Sequence, residues 1–129
     1  MTAPIVKHVE IEEVADYIEH PIPALDVIDI GSIKSVGGAD LFIVIAKPMQ
    51  DDLVSQNRML QKIEGYLVFI GSAEFQADAG VPSPNNTQVI VHIHPESSSA
   101  IFDLLERCNP WVHQNKATLV VQLLDQSIQ

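Results

Sequence analysis

The 129-residue sequence is poor in cysteine, in basic residues and in long apolar runs. Its single cysteine, Cys108, cannot form an intramolecular disulfide, and it excludes an all-cysteine zinc site. Seven Lys and Arg residues against 17 Asp and Glu residues give a net charge of −10, which disfavours binding to a nucleic acid backbone. The longest apolar runs, 41–46 and 66–70, are far shorter than the ~20 residues that cross a bilayer. We therefore expect no nucleic acid partner and no membrane partner.

What remains is the composition of one globular domain. Hydrophobic residues make up 47% of the chain and charged residues 19%, which excludes disorder for most of it. A chain of this length buries roughly two thirds of its unfolded surface, so its core needs neither a metal nor a disulfide. Residues 1–7 show no basic start followed by a long apolar stretch. We therefore expect a cytoplasmic protein in which Cys108 stays reduced.

The first 25 residues have a character of their own. Val9, Val14, Tyr17 and Ile18 fall near helical spacing with acidic residues between them, which predicts a short amphipathic helix. The prolines of the run 20–23 end this helix, and residues 20–25 form a short linker that the two prolines stiffen. Residues 26–129 are predicted to form a single α/β domain.

The pattern after residue 25 predicts the element order β-β-α-β-α-β. Two β-rich runs, 26–33 and 41–47, flank Gly37-Gly38, where positive φ angles favour a hairpin. A helix is predicted at 52–71 from apolar residues repeated every three or four positions, and an irregular loop at 73–86 from its Gly, Pro and Asn residues. The last predicted elements are a strand at 87–94, a helix at 98–113 that Asn109-Pro110 ends or kinks, and a strand at 117–124.

This order predicts an α+β fold of two layers. Strands separated by long helices are normally parallel, so the hairpin and two crossovers give a mixed four-stranded sheet with both helices on one face. The expected fold is a two-layer α/β sandwich with an extra N-terminal helix. Side-chain alternation places Val27, Ile90 and Val120 on the face opposite the helices, among polar residues. Such a mixed face is typical of an interface or a shallow binding surface.

Two segments carry a further pattern. The run 26–33 reads Asp-Val-Ile-Asp-Ile-Gly-Ser-Ile, and the run 60–72 contains Lys62-Ile63, then Tyr66, then Phe69-Ile70. Together they resemble a family of small bacterial proteins of unknown function, which opens with a V-I-D strand and hairpin and continues into a helix with K-I-x-x-Y-x-x-F-I. This chain departs from that pattern because it lacks a Trp after the second strand and adds a head, 1–25. The resemblance spans residues 26 to about 108 and implies the fold, but no catalytic residue.

One cluster suggests a ligand or metal site. His92 and His94 lie two residues apart on a predicted strand, which places both imidazoles on one face about 6.5–7 Å apart. Asp29, where it shares this face, or Glu96, which is equally available, would complete a set of two histidines and one carboxylate. Histidines also occur on exposed sheet faces by chance, and no cofactor is predicted.

Other reactive side chains favour structural roles. Ser97, Ser98 and Ser99 precede a predicted helix and are expected to cap it; an anion site or a nucleophile beside His94 are the alternatives. Cys108 falls on the apolar stripe of that helix and is expected in the core. The sequence therefore contains no catalytic set that we would assign.

The sequence favours a non-enzymatic protein-interaction or self-associating module. We expect a homodimer, with Val27, Ile90 and Val120 of the sheet face and Tyr17 and Ile18 of the head as contact residues. The head, residues 1–25, either folds across the sheet of its own chain or reaches a neighbouring subunit. The alternative to self-association is binding to a different protein. The alternative function is a small metal-dependent enzyme or ligand-binding protein that uses Asp29, His92 and His94.

Overall fold

The elements follow one another in the predicted order, with one added helix. A computed structural model describes residues 19–125, so the predicted N-terminal helix lies outside the described residues. The described residues form seven elements: β1 (Ile30–Ile33), β2 (Ala39–Ile45), α1 (Leu53–Ile70), α2 (Ala73–Ala79), β3 (Thr87–Ile93), α3 (Ser99–Gln114) and β4 (Thr118–Leu123).

The sheet has the spatial order β1-β2-β3-β4. The pair β1–β2 is antiparallel, and the pairs β2–β3 and β3–β4 are parallel. Long helical crossovers of the same hand place α1 and α3 on one face of the sheet. The predicted two-layer α+β fold with a mixed four-stranded sheet is therefore confirmed.

The core lies between the helices and one face of the sheet. Burial alternates strictly along β2, where every second side chain, from Ala39 to Ile45, is buried against the helices. From α1, Ile63, Tyr66, Leu67 and Ile70 enter the same core. The other sheet face carries a cross-strand row whose members are opposite one another in register: Ile30, Phe42, Ile90 and Val120. We call this the open face. The helices within residues 19–125 contribute to the core on the other side of the sheet and not to a core on this one.

The structure corrects three local predictions. The first strand begins at Ile30 rather than Asp26, because side chains of α1 bind the polar groups of residues 24–29 in place of a neighbouring strand. The predicted loop 73–86 contains α2, which Ser72 caps and Phe75 anchors in the core. The helix α3 extends to Gln114, close to its predicted end at 113, so Asn109-Pro110 does not end it, and Trp111 and Val112 are buried in the turn that follows.

The hairpin turn explains one glycine requirement. Gly38 has a φ angle of 84°, and a Cβ atom built on it would lie 2.0 Å from the carbonyl oxygen of Asn86. Its N–H donates to the carbonyl of Ala79 at 2.7 Å. A side chain at position 38 is therefore excluded by the backbone conformation and by the close approach of Asn86, the residue before β3.

Candidate functional site

A row of polar side chains along α1 is buried beneath the segment that precedes β1. Ser55, Arg58, Lys62 and Tyr66 are three or four residues apart, which places them on one face of the helix, and all four are buried. We call them the polar stripe. Arg58 Nε donates to the carbonyl oxygen of Ile22 at 2.8 Å. The stripe therefore holds backbone that no strand pairs with.

Lys62 makes the strongest of these attachments. Its ammonium donates to the carbonyl oxygens of Ala24 at 2.6 Å and Val27 at 2.9 Å, and to Asp29 Oδ1 at 2.8 Å. The side chain is only 1% exposed, and each of its three N–H groups has an acceptor. A charge this deep is tolerated because it is paired and fully hydrogen-bonded. Lys62 thus fixes the path of residues 24–29 onto α1.

Tyr66 bridges the same segment to β2. Its hydroxyl accepts a hydrogen bond from the N–H of Asp29 at 2.8 Å and donates a short one to the carbonyl oxygen of Phe42. Burial raises the pKa of the Tyr66 hydroxyl above its ordinary value, so the group stays protonated. Tyr66 therefore acts as a neutral donor and acceptor between two backbone stretches.

His20 closes the far end of the stripe. Its Nδ1 accepts from the N–H of Ile22 at 2.9 Å, and its Nε2 lies 2.9 Å from Ser55 Oγ. Since Nδ1 accepts, we assign the proton of the neutral ring to Nε2, which then donates to Ser55. Burial, and next the positive charge of Arg58, lower the pKa of His20, while Asp52 opposes them. The neutral ring is therefore the form that fits this contact.

The three predicted ligands have separate partners. Asp29 precedes β1, and its carboxylate binds Lys62 of α1 and, at 3.0 Å, the N–H of Val44. His92 lies on the open face, with Nε2 2.5 Å from Gln122 Oε1. His94 follows the end of β3. Within residues 19–125, no three His, Cys, Asp or Glu side chains come together as a metal site.

The two histidines also differ in their local contacts. The His92 ring lies 5.2 Å from the ring of Phe42, measured between centroids. His94 Nδ1 accepts from the N–H of Glu96 at 3.0 Å. One nitrogen of each imidazole is therefore occupied by a neighbour of the same chain, and the two rings do not form a joint site with Asp29.

The serine run and Cys108 have structural roles. Ser98 is the N-cap of α3 and accepts from the N–H of Ala100 at 3.2 Å. Ser97 is buried, and its hydroxyl accepts from the N–H of Met49 at 3.0 Å. Cys108 lies in the core, and burial raises the pKa of its thiol to about 11. None of these groups is poised as a nucleophile.

An open cleft of about 660 Å³ lies between α1 and residues 25–28. Apolar side chains form most of its wall, and Asp26 and Glu64 supply its carboxylates. No Lys, Arg or His is among the side chains that line it: Leu25, Asp26, Val27, Ile28, Gln61, Glu64, Tyr66, Val68 and Phe69, with Gly65 between them. The cleft is therefore unsuited to anionic ligands such as nucleotides.

Of the residues predicted for the interface, the three that the structure describes, Val27, Ile90 and Val120, do not form one exposed patch. Ile90 lies on the open face but is only 5% exposed, and Val120 beside it is half-buried. Val27 is exposed but belongs to the cleft beside α1 rather than to the open face. Tyr17 and Ile18 lie outside the described residues.

The exposed apolar groups of the sheet lie instead on its edge strands. Ile30 and Ile33 of β1 are 54% and 46% exposed, and Val121 and Leu123 of β4 are 40% and 60% exposed. These are the large apolar side chains of the four strands that remain most open to water. The uncovered apolar surface of the sheet is therefore concentrated on its two edge strands, with Ile30 on the open face and Ile33, Val121 and Leu123 on the helix side.

Comparisons with protein families, with curated proteins and with solved structures found no match for this chain. In the part of the chain that the structure describes, no helix is long and apolar enough to cross a membrane. No residue role is transferred from a relative, so the contacts of residues 19–125 carry the functional interpretation.

Proposed function

We propose that this protein is a non-enzymatic interaction module that acts as a homodimer, in which the two copies meet through uncovered parts of the sheet. The observation that carries the proposal is the exposure of Ile30, Ile33, Val121 and Leu123 on the edge strands. Burial of apolar surface contributes about 25 cal/mol per Å², so groups of this size left in water favour association. Edge strands also present backbone groups that a second chain can pair with.

The side chains whose pKa values are shifted support a binding role rather than a catalytic one. Perturbed pKa values mark catalytic sites when the groups lie free in a cleft. His20 and Tyr66 instead use their polar atoms to hold the segment before β1, and Cys108 packs in the core. Their shifts therefore have a structural cause.

A reducing compartment, the cytoplasm, suits this chain. Its single cysteine has no disulfide partner within the chain, and that cysteine is buried. Fluorescence microscopy and cell fractionation of the tagged protein test this location.

Molar mass in solution tests the proposed self-association. We expect wild-type protein at micromolar concentration to show twice the 14.2 kDa mass of the chain by light scattering. The double variant Ile33→Lys/Val121→Lys places a charge on each edge strand and should raise the dimer Kd at least tenfold, which is ~1.4 kcal/mol.

The control is Val36→Lys, at a turn position that is 91% exposed and outside the strands. It introduces the same charge without touching an edge and should leave the dimer unchanged. A wild-type mass of one chain at every concentration would contradict the proposal, as would equal weakening by Val36→Lys.

A further inference from the structure

Strand β4 presents one side of its backbone without a partner in the described structure. Among residues 19–125, β4 pairs with β3 alone. The N–H of Leu124 donates to the carbonyl oxygen of Ile93 at 2.9 Å, so position 124 and the even positions before it face β3. Successive strand residues direct their backbone groups to opposite sides. The outward-facing residues are therefore Leu119, Val121 and Leu123.

The sequence of β4 lacks the features that normally protect an edge. Its six residues, Thr-Leu-Val-Val-Gln-Leu, include no charge, no proline and no glycine. Edge strands of soluble proteins usually carry a charge, a proline or a bulge, or are very short, because an unprotected edge pairs with other chains. Each chain carries a net charge of −10, so two copies repel each other over most of their surface. The uncharged edge is where a close approach costs least.

We infer that β4 pairs antiparallel with β4 of a second copy, so that two four-stranded sheets join into one continuous sheet. This inference rests on the proposed self-association and names its contact. A two-fold axis relates identical strands in this way. The charges flanking the strand favour the same direction, since Lys116 precedes β4 and Asp125 follows it. Antiparallel pairing brings the Lys116 end to the Asp125 end of the second copy, whereas parallel pairing would bring like charges together.

The outward-facing residues also define the register. With the two-fold axis at Val121, Val121 pairs with its own copy and Leu119 pairs with Leu123, so every outward residue of the strand meets an outward residue. Moving the axis by one residue, to Val120 or Gln122, leaves one outward residue of each strand without such a partner. The Val121 register also brings the exposed side chains of Val121 and Leu123 together on the helix side of the sheet.

Charge variants of the two edges test which strand forms the contact. Val121→Lys should raise the dimer Kd at least tenfold, while Ile33→Lys on β1, at a side chain of similar exposure, should leave it within twofold. Circular dichroism and thermal melting establish that each variant folds. A wild-type monomer overturns both the inference and the proposed function. A dimer that survives Val121→Lys but dissociates in Ile33→Lys keeps the proposed function and overturns the assignment to β4, as does dissociation of both variants.

A cysteine cross-link tests the register and does not depend on weakening the dimer. In a hydrogen-bonded antiparallel pair the Cα atoms lie about 5.5 Å apart, which suits a disulfide. Under mild oxidation Val121→Cys should form a covalent dimer at least tenfold faster than Leu123→Cys, although Leu123 is the more exposed position. Native Cys108 is buried and common to both variants. Equal rates, or faster cross-linking of Leu123→Cys, would overturn the register.

Discussion

The two edge strands of this sheet show opposite ways of ending it. β1 has four residues with Gly31 among them, and it stands between Asp29, which is bound to Lys62, and the charged Lys34. β4 has six residues, none of them glycine, and its flanking charges, Lys116 and Asp125, lie two positions beyond its ends. A short strand bordered closely by charged residues discourages pairing with another chain, whereas a longer strand with its charges set back permits it. The difference indicates that one edge is closed and that the other is available for contact.

Both edges of the sheet present outward-facing backbone N–H and C=O groups. The N–H of Lys34 donates to the carbonyl of Gly38 at 2.9 Å, so Lys34, Ser32 and Ile30 face β2. Gly31 and Ile33 therefore direct their backbone groups outward, as Leu119, Val121 and Leu123 do on β4. What differs is the length of the two strands, the glycine within β1 and the hydrogen bonds that attach the segment before β1 to α1.

The largest loss of stability should follow when residues 24–29, the segment before β1, are released from α1. Lys62→Met removes the buried donor that Ala24, Val27 and Asp29 share and leaves the half-buried carboxylate of Asp29 without its cation. We expect a loss of about 3–5 kcal/mol in the free energy of unfolding, because three hydrogen bonds to a charged group are lost together. Urea denaturation measures it.

The matched control for Lys62 is an exposed ion pair. Lys47→Met removes the partner of Glu19, 3.2 Å away at the surface, and should cost less than ~1 kcal/mol. Equal losses in the two variants would show that Lys62 does not anchor the segment before β1.

A smaller effect is expected from removing one hydroxyl. Tyr66→Phe keeps the ring in the core but removes the hydrogen bonds that the hydroxyl makes with the N–H of Asp29 and the carbonyl of Phe42. We expect a cost of about 1–3 kcal/mol in the free energy of unfolding. A change below ~0.3 kcal/mol would mean that water replaces the hydroxyl and that Tyr66 does not hold β1 in place.

Acidification should slightly weaken the attachment of the segment before β1 to α1, because His20 takes part in it. The pKa of His20 is lowered in the fold from its ordinary value of 6.5, so the unfolded chain binds more protons as the pH falls below that value. The stability that the neutral ring contributes is therefore fully present above pH 6.5, and it is lost as the pH falls through the lowered pKa of His20. His20→Gln should lose less stability than wild type between about pH 7 and pH 5.5. His113→Gln, at an exposed position of α3, should behave as wild type.

The smallest expected effect is that of salt on the dimer. Two chains of net charge −10 repel each other, and raising the salt from about 0.1 to about 1 M shortens the screening length from ~10 to ~3 Å. We expect the dimer Kd to fall a few-fold in sedimentation experiments. A rise in Kd would show that the Lys116 and Asp125 ends, rather than the neutral strand between them, drive association.

Periodicity predicted the element order and most bounds because the apolar residues of β2, β3 and α3 repeat without interruption. It misplaced Asp29 because the run 26–33 has apolar residues in both phases, and only the contacts with α1 decide where pairing begins. It missed α2 because the run 80–86 obscured the Ser72 cap and the Phe75 and Ala79 spacing before it.

The polar stripe was not predicted, because Arg58 and Lys62 on a helix normally face water. Their burial depends on residues 19–29 lying across them, a long-range contact that no local pattern contains. The signal that could have indicated it is the spacing of Ser55, Arg58, Lys62 and Tyr66 beside the apolar residues Met59 and Ile63. The edge contact likewise depends on pairing partners, so alternation alone directed attention to the open face.

Amide hydrogen exchange distinguishes the two edges, because it reads the outward N–H groups of both strands in one sample. We predict that the amides of Leu119, Val121 and Leu123 are protected at high protein concentration and lose protection on dilution. The outward amides of Gly31 and Ile33 should exchange at the same rate at both concentrations. Concentration-dependent protection on β1, or fast exchange of Val121 in a sample shown to be dimeric, would contradict this prediction.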